Sequence, residues 1–268
     1  MSDGFETIRC EVDRAHRLGR ITLDRPEQRN PLDDRSSAEL LAALERLLAD
    51  DAVRSIVIAA EGPAFCAGGD LRQMRRFREM SGEEALEWPA AIVDLHQRML
   101  VADKPVIAAV DGPAFAGGMG LAGMCDVIVA TPRARFAMPE VRIGLFPMII
   151  VAHLVRSMPR KKLLEMMLTG DPIDADEAHR LGFVNQVVAD AAALEEAVGH
   201  YAQRFATVSS AAVRLGRRAF TLMADMPAHQ ALDAAQFFNV ALFGGDDLRE
   251  GADAFLDKRP PRWAQPDP

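Results

Sequence analysis

The segment Ile56-Val57-Ile58-Ala59-Ala60-Glu61-Gly62-Pro63-Ala64-Phe65-Cys66-Ala67-Gly68-Gly69-Asp70-Leu71 decides how this chain is read. It opens as a short β-branched run of the kind that forms a buried strand. A loop of small residues then leads to Asp70 and an Arg-rich helical stretch. The same order returns later, as the apolar run 105–110 followed by Asp111-Gly112-Pro113-Ala114-Phe115-Ala116-Gly117-Gly118-Met119-Gly120-Leu121, which opens another helix. Small residues let the backbone approach a ligand closely, and the first amides of a helix have no intrahelical partner. Two such amides from different loops, aimed at one oxygen, make an oxyanion site. Either turn alone reads as an ordinary strand-to-helix connection; two together point to chemistry. Neither has the lysine of a phosphate loop.

Outward from these turns, alternating runs at 5–12 and 17–23 predict a β-hairpin. A helix is expected over about 36–48, with Leu40, Leu41, Leu44, Leu47 and Leu48 on one stripe. The run 55–59 predicts a strand, 83–101 a long helix, and 105–110 and 126–130 further strands. Strands alternating with helices imply parallel pairing with helices outside, an α/β body. From about residue 160 helical patterns dominate, and only 184–188 looks extended. The expected organisation is a core over 1–195 and an α-helical C-terminal region over 196–268.

At 268 residues the chain can bury a sizeable core. Its net charge of -8 disfavours nucleic acid and anionic membranes as partners. Cys10, Cys66 and Cys125 are far apart and lack metal-ligand spacing, so no metal site is expected and a reduced, cytoplasmic setting is. The N-terminus has no apolar signal-peptide run. The most apolar stretch, 143–155, is interrupted by Pro147 and His153 and is too short to span a bilayer.

The segment Phe65-Cys66-Ala67-Gly68-Gly69-Asp70-Leu71 resembles the A-F-C-A-G-x-D-L motif of the crotonase (enoyl-CoA hydratase/isomerase) superfamily. The stretch from Ala109-Val110-Asp111-Gly112 to Cys125-Asp126 resembles that family's A-V-N-G…G-G-x-x-L-x-x-x-C-D motif. Leu23-Asp24-Arg25-Pro26-Glu27-Gln28-Arg29-Asn30 and the segment from Glu250-Gly251 to Lys258-Arg259 resemble its opening and closing motifs, so the likeness spans the chain. The resemblance implies a spiral of ββα repeats with C-terminal helices that pack as homotrimers or homohexamers. It also implies an acyl-CoA thioester substrate, with coenzyme A part of the substrate and no separate cofactor. By motif match, the amides of Ala67 and Gly117 form the oxyanion hole. Residues Ala67, Gly68, Gly69, Asp70 and Leu71 line the acyl-CoA path. Because CoA is anionic, Arg25, Arg29, Arg72, Arg75, Arg76 and Lys258 are candidate phosphate neighbours.

The family's hydratases move protons with two glutamates. One matches Glu140, in Met138-Pro139-Glu140-Val141, whose apolar neighbours favour a raised pKa and an acid–base role. The other is replaced by Gly120, which has no carboxylate. Asp70 and Asp126 stand where the family has structural aspartates. The bulky segment 144–153 replaces a glycine-rich one and should reshape the acyl pocket, with Met119, Met124, Met138 and Met148 as pliable walls. Three readings stay open: hydration of 2-enoyl-CoA, isomerisation of 3-enoyl-CoA to 2-enoyl-CoA by Glu140 alone, and acyl-CoA binding without chemistry.

Overall fold

The computed structural model describes residues 4–265. The hairpin forms as β1 (Ile8–Asp13) and β2 (Leu18–Leu23), paired antiparallel. A 3-10 turn (Pro26–Gln28) and α1 (Asp34–Ala49) lead to β3 (Ser55–Ala60), parallel to β2. Then come α2 (Leu71–Met74), α3 (Gly82–Glu87), α4 (Ala90–Leu100), β4 (Val106–Val110), β5 (Pro113–Phe115) and α5 (Gly117–Gly123). Next are β6 (Val127–Ala130), β7 (Arg135–Ala137), a 3-10 turn (Pro139–Ile143), α6 (Met148–Ser157) and α7 (Arg160–Thr169). The chain continues with β8 (Ile173–Asp174), α8 (Ala175–Arg180), β9 (Gln186–Val187), α9 (Ala191–Ala206), α10 (Ser210–Met223), α11 (Ala228–Phe243) and α12 (Asp246–Leu256).

Six strands form one sheet in the order β1-β2-β3-β4-β6-β9, parallel from β2 onward. A second sheet, β5-β7-β8, stands beside it. The chain visits the large sheet at β4, the small one at β5, returns through α5, and repeats the visit at β6 and β7. That is the ββα spiral of the crotonase fold. Side-chain alternation along the strands divides the core. Ile56 and Ile58 face the α1 and α4 side, while Val57, Ile107 and Val129 meet Leu194, Ala197 and Val198 of α9. Both faces of the sheet are covered, which explains strands that read as continuous apolar runs. Helix α9 runs unbroken across residue 195, so the anticipated division falls inside a helix packed on the sheet.

Other differences have local causes. The helix expected over 83–101 breaks into α3 and α4 at Pro89, which has no N–H to donate. Helix α6 arises from the apolar stretch, whose lack of polar positions hid its period. The strands of the small sheet are two or three residues long, too short for alternation to register.

The motif at 23–30 stitches the loops together. Asn30, buried and at φ 52°, donates from Nδ2 to the Glu61 and Ala64 carbonyls, both at 2.9 Å, and accepts from the Arg25 amide at 2.8 Å. The Arg25 guanidinium donates to the Pro31 carbonyl and pairs with Asp33 at 2.5 Å. Asp33 in turn caps α1 by accepting from the Ser36 amide, so this network fixes the loop after β3 relative to α1.

Candidate active site

The loops after β3 and β4 are adjacent because their strands are paired neighbours, and both leave the carboxyl ends of a parallel sheet. A parallel bridge, Cys66 to Ala114, ties them together through Cys66 N–H to Pro113 O (3.1 Å) and Phe115 N–H to Cys66 O (2.9 Å). The fit admits no side chains at the crossing. A Cβ on Gly68 would lie 2.6 Å from Ala116 Cβ, and one on Gly118 would lie 2.7 Å from Cys66 Cβ. Gly68 also has φ 94°, a conformation that L residues rarely adopt.

That left-handed residue settles which amides are free. The Ala67 N–H donates to the Arg29 carbonyl at 2.9 Å, so it is spent within the scaffold. The expectation that Ala67 supplies an oxyanion donor is corrected accordingly. The chain reverses its hydrogen-bonding side at Gly68. Leu32 then bonds to Gly68 O (2.8 Å) and to the Asp70 N–H (3.0 Å), using neither polar group of Gly69. In a parallel bridge the skipped residue turns its N–H away from its neighbour. The Gly69 amide has no partner among the described residues, nor has that of Gly117, the first residue of α5. Both glycines line one cavity of about 500 Å³. A Cβ on Gly117 would stand 4.0 Å from Gly68 Cα, so the two loops are in contact beside it.

Glu140 lines the same cavity, set at the start of the 3-10 turn that follows β7. Its Oε2 has no solvent contact and no partner among the described residues. Burial raises its pKa above the ordinary glutamate value, opposed by a hydrogen bond from its own backbone amide. The remaining wall is largely apolar, with Trp88, Ile92, Leu145, Phe146, Met148 and Ile150 prominent. Sequence reasoning anticipated the 144–150 part of that wall. It missed Trp88 and Ile92, which reach the cavity only because Pro89 redirects the chain into α4.

The position of the absent glutamate is filled. A Cβ on Gly120 would run into Ile150 Cγ2 and lie 2.9 Å from Ile150 Cβ. Helix α6 therefore rests directly on α5, with Ile150 in the space a side chain at 120 would need. Behind this contact lie His96 and His153, their rings 5.1 Å apart and edge to face. None of their four ring nitrogens has a partner among the described residues. Burial pulls the pKa of His96 down to about 4; burial, with smaller contributions from His96 and Arg156, pulls His153 down to about 3.

The other anticipated residues divide. Asp70 lines the cavity and caps α2 by accepting from the Arg72 amide, while Ala67, Gly68 and Leu71 are absent from the cavity wall. Arg25 is held by Asp33 and Pro31 and is a scaffold residue, whereas Arg29 is exposed. Asp126 accepts from the Val106 amide and pairs with Arg217 at 2.8 Å, a structural role. Of the four methionines, Met148 lines the cavity and Met119, Met124 and Met138 are core. Cys66 is fully buried, with its thiol pushed up to about 12 by desolvation, so it is no nucleophile. The sequence reading also passed over Gln73 and Asp34 on the cavity wall. Gln73 lies one turn beyond Asp70, and that spacing was the available signal.

Comparison with known proteins agrees with this architecture. The family described as Enoyl-CoA hydratase/isomerase matches residues 13–266. A Rhizobium meliloti protein named "Probable enoyl-CoA hydratase" is 36% identical over 95% of this chain and 96% of its own length. The human protein named "Enoyl-CoA hydratase domain-containing protein 3, mitochondrial" is 35% identical over 91% of this chain and 80% of its own. A crystal structure of an enoyl-CoA hydratase from Mycobacterium smegmatis superposes with a TM-score of 0.90 at 35% identity, covering 97% of this chain and all of that one. The chain belongs to the enoyl-CoA hydratase/isomerase family.

Proposed function

We propose that this protein hydrates 2-enoyl-CoA thioesters through an enolate, with Gly69 and Gly117 as oxyanion donors and Glu140 as the acid–base group. The observation that carries the reading is the convergence on one cavity of two residues with unpartnered amides, Gly69 and Gly117, and of Glu140. A thioester oxygen between the amides gains charge as the β carbon is attacked, and fixed donors stabilise that charge without reorganising. Losing one such donor typically costs roughly 3 kcal/mol of transition-state stabilisation. A carboxyl group of raised pKa accepts a proton and returns it near neutral pH. The apolar wall suits an acyl chain. Arg29, exposed at the rim of the scaffold, remains the candidate for a CoA phosphate, and Arg25 does not.

Isomerisation of 3-enoyl-CoA is the second reading, favoured by the presence of only one of the two motif glutamates and by Ile150 filling the space beside Gly120. Incubation with a 2-enoyl-CoA and, separately, a 3-enoyl-CoA separates the two. Loss of the conjugated thioester absorbance marks hydration, and its appearance marks isomerisation. Glu140→Gln should abolish whichever reaction occurs; near-normal turnover by that variant would remove Glu140 from the mechanism. Binding of CoA thioesters with no turnover on a broad panel would favour a non-catalytic role.

The same reading includes a homotrimer or homohexamer in the cytoplasm. Phe220 of α10 and Phe237 and Phe243 of α11 are 75, 78 and 66% exposed, an apolar surface that assembly would cover. Among the described residues no helix is long and apolar enough to cross a membrane.

A further inference from the structure

The apolar wall of the cavity runs out into solvent. Its large side chains come from Trp88 and Ile92 on one side and from the stretch between the Glu140 turn and α6 on the other. Trp88 and Ile92 are half-buried, but Leu145 is 40% exposed and Met148, the first residue of α6, is 69% exposed. Single exposed apolar side chains are ordinary on a protein surface; these two belong to the wall of a cavity. Leu71 and Leu86, also exposed, directly follow the wall residues Asp70 and Ala85. The polar wall residues Asp34, Ser37, Asp70 and Gln73 come instead from α1, from α2 and from the residue that caps α2.

We infer that the substrate's acyl group is a long unbranched chain that leaves the cavity across Leu145 and Met148; this rests on the acyl-CoA reading above. A thioester held at Gly69 and Gly117 has two unlike arms. The pantetheine arm carries amides and a hydroxyl, which match the polar wall. The acyl arm is apolar and gains by burial only against Trp88, Ile92 and the 145–149 stretch. A butenoyl group ends close to the thioester and leaves the exposed rim in water. A decenoyl group extends over the rim and covers apolar surface that is otherwise wet. Met148 suits that place, because an unbranched thioether adapts its shape to a mobile tail. Each methylene fully buried is worth roughly fourfold in affinity, and one lying on an open rim roughly twofold.

Chain length gives the test. Wild type, Leu145→Gln, Met148→Gln and Met148→Leu are compared in kcat/KM for hydration of 2-butenoyl-CoA and 2-decenoyl-CoA. Their dissociation constants for the saturated butanoyl-CoA and decanoyl-CoA are measured by calorimetry. Wild type should favour the decenoyl substrate by at least about thirtyfold, since the added methylenes contribute roughly twofold each. Leu145→Gln and Met148→Gln should each cut that ratio by about threefold or more, while Met148→Leu, still apolar, should keep it within about twofold. The ratio is taken within one protein, so partial unfolding or a displaced Glu140 lowers both rates together and leaves it unmoved. A wild-type preference for butenoyl-CoA, equal values at the two lengths, or an unchanged ratio in either glutamine variant would overturn the assignment. If neither enoyl-CoA turns over, the hydration reading fails and the dissociation constants decide the rim by themselves. Tighter binding of decanoyl-CoA that weakens in the glutamine variants upholds it, and equal binding of the two thioesters overturns it.

Discussion

Replacing Gly120 with alanine tests the claim that α6 occupies the space of a missing side chain. In an ordinary helix this change is stabilising by up to about 1 kcal/mol, because glycine loses more backbone entropy on folding. Here the new methyl would press on Ile150 Cγ2 and stand 2.9 Å from Ile150 Cβ, where carbon contacts prefer about 3.5–4.0 Å. Ile150 is only 4% exposed. Overpacking of this kind costs about 1–3 kcal/mol, enough to outweigh the helix gain. The net expectation is destabilisation of about 1–2 kcal/mol, or a melting point lower by roughly 2–8 °C for a chain of this size. Reversible denaturant unfolding of wild type, Gly120→Ala, Ile150→Ala and the double variant gives the coupling directly. Ile150→Ala alone should cost about 2–5 kcal/mol through its cavity. The double variant should be at least about 1 kcal/mol more stable than the two single losses predict, because the new methyl fills part of that cavity. A stabilised Gly120→Ala protein, or strictly additive losses, would refute the packing account of why the second carboxylate is absent.

The His96–His153 pair should make the fold acid-labile. Both folded-state pKa values lie below the unfolded value of about 6.5, so their neutral forms contribute stability above that pH, and it is lost as pH falls toward about 4 and then about 3. His96→Phe should flatten the fall in melting temperature between about pH 6 and 4, and an unchanged pH profile would count against the buried neutral pair. Ala116 sits at φ 51° and ψ -123°, a region that favours glycine, immediately before the Gly117 amide. Ala116→Gly should therefore raise stability by about 1 kcal/mol in thermal melts, while a loss would mean the backbone is not strained there.

Much of the architecture was legible because the strands of the large sheet are buried on both faces and announce themselves as unbroken β-branched runs. The hairpin, α1 and the C-terminal helices followed from period, although the residue that caps α1 is Asp33, which the periodicity does not single out. The small sheet was not legible, since Pro113–Phe115 and Ile173–Asp174 are held by pairing with β7 rather than by local preference. At the site, Glu140 and Gly117 were readable from their motifs. The other amide was not. Ala67 and Gly69 are equally small, and the choice between them turns on the positive φ of Gly68 and on which carbonyl of the 29–32 segment lies opposite. Arg25 was misjudged for a related reason. Its charge suggested a phosphate, but only the folded loop brings Asp33 within 2.5 Å of it. Ile150 gains its meaning from the meeting of α5 with α6, a contact with no trace in local sequence.

The most direct test of the central claim is the carbonyl stretch of a bound thioester. An isotope-edited infrared difference spectrum of hexanoyl-CoA carrying 13C at the thioester carbonyl would report the polarisation of that bond in the cavity. Two amide donors from Gly69 and Gly117 predict a clear shift to lower frequency than in water, retained in Glu140→Gln. A bound carbonyl at its solution frequency would contradict the account, because no oxyanion site would then be acting on the substrate.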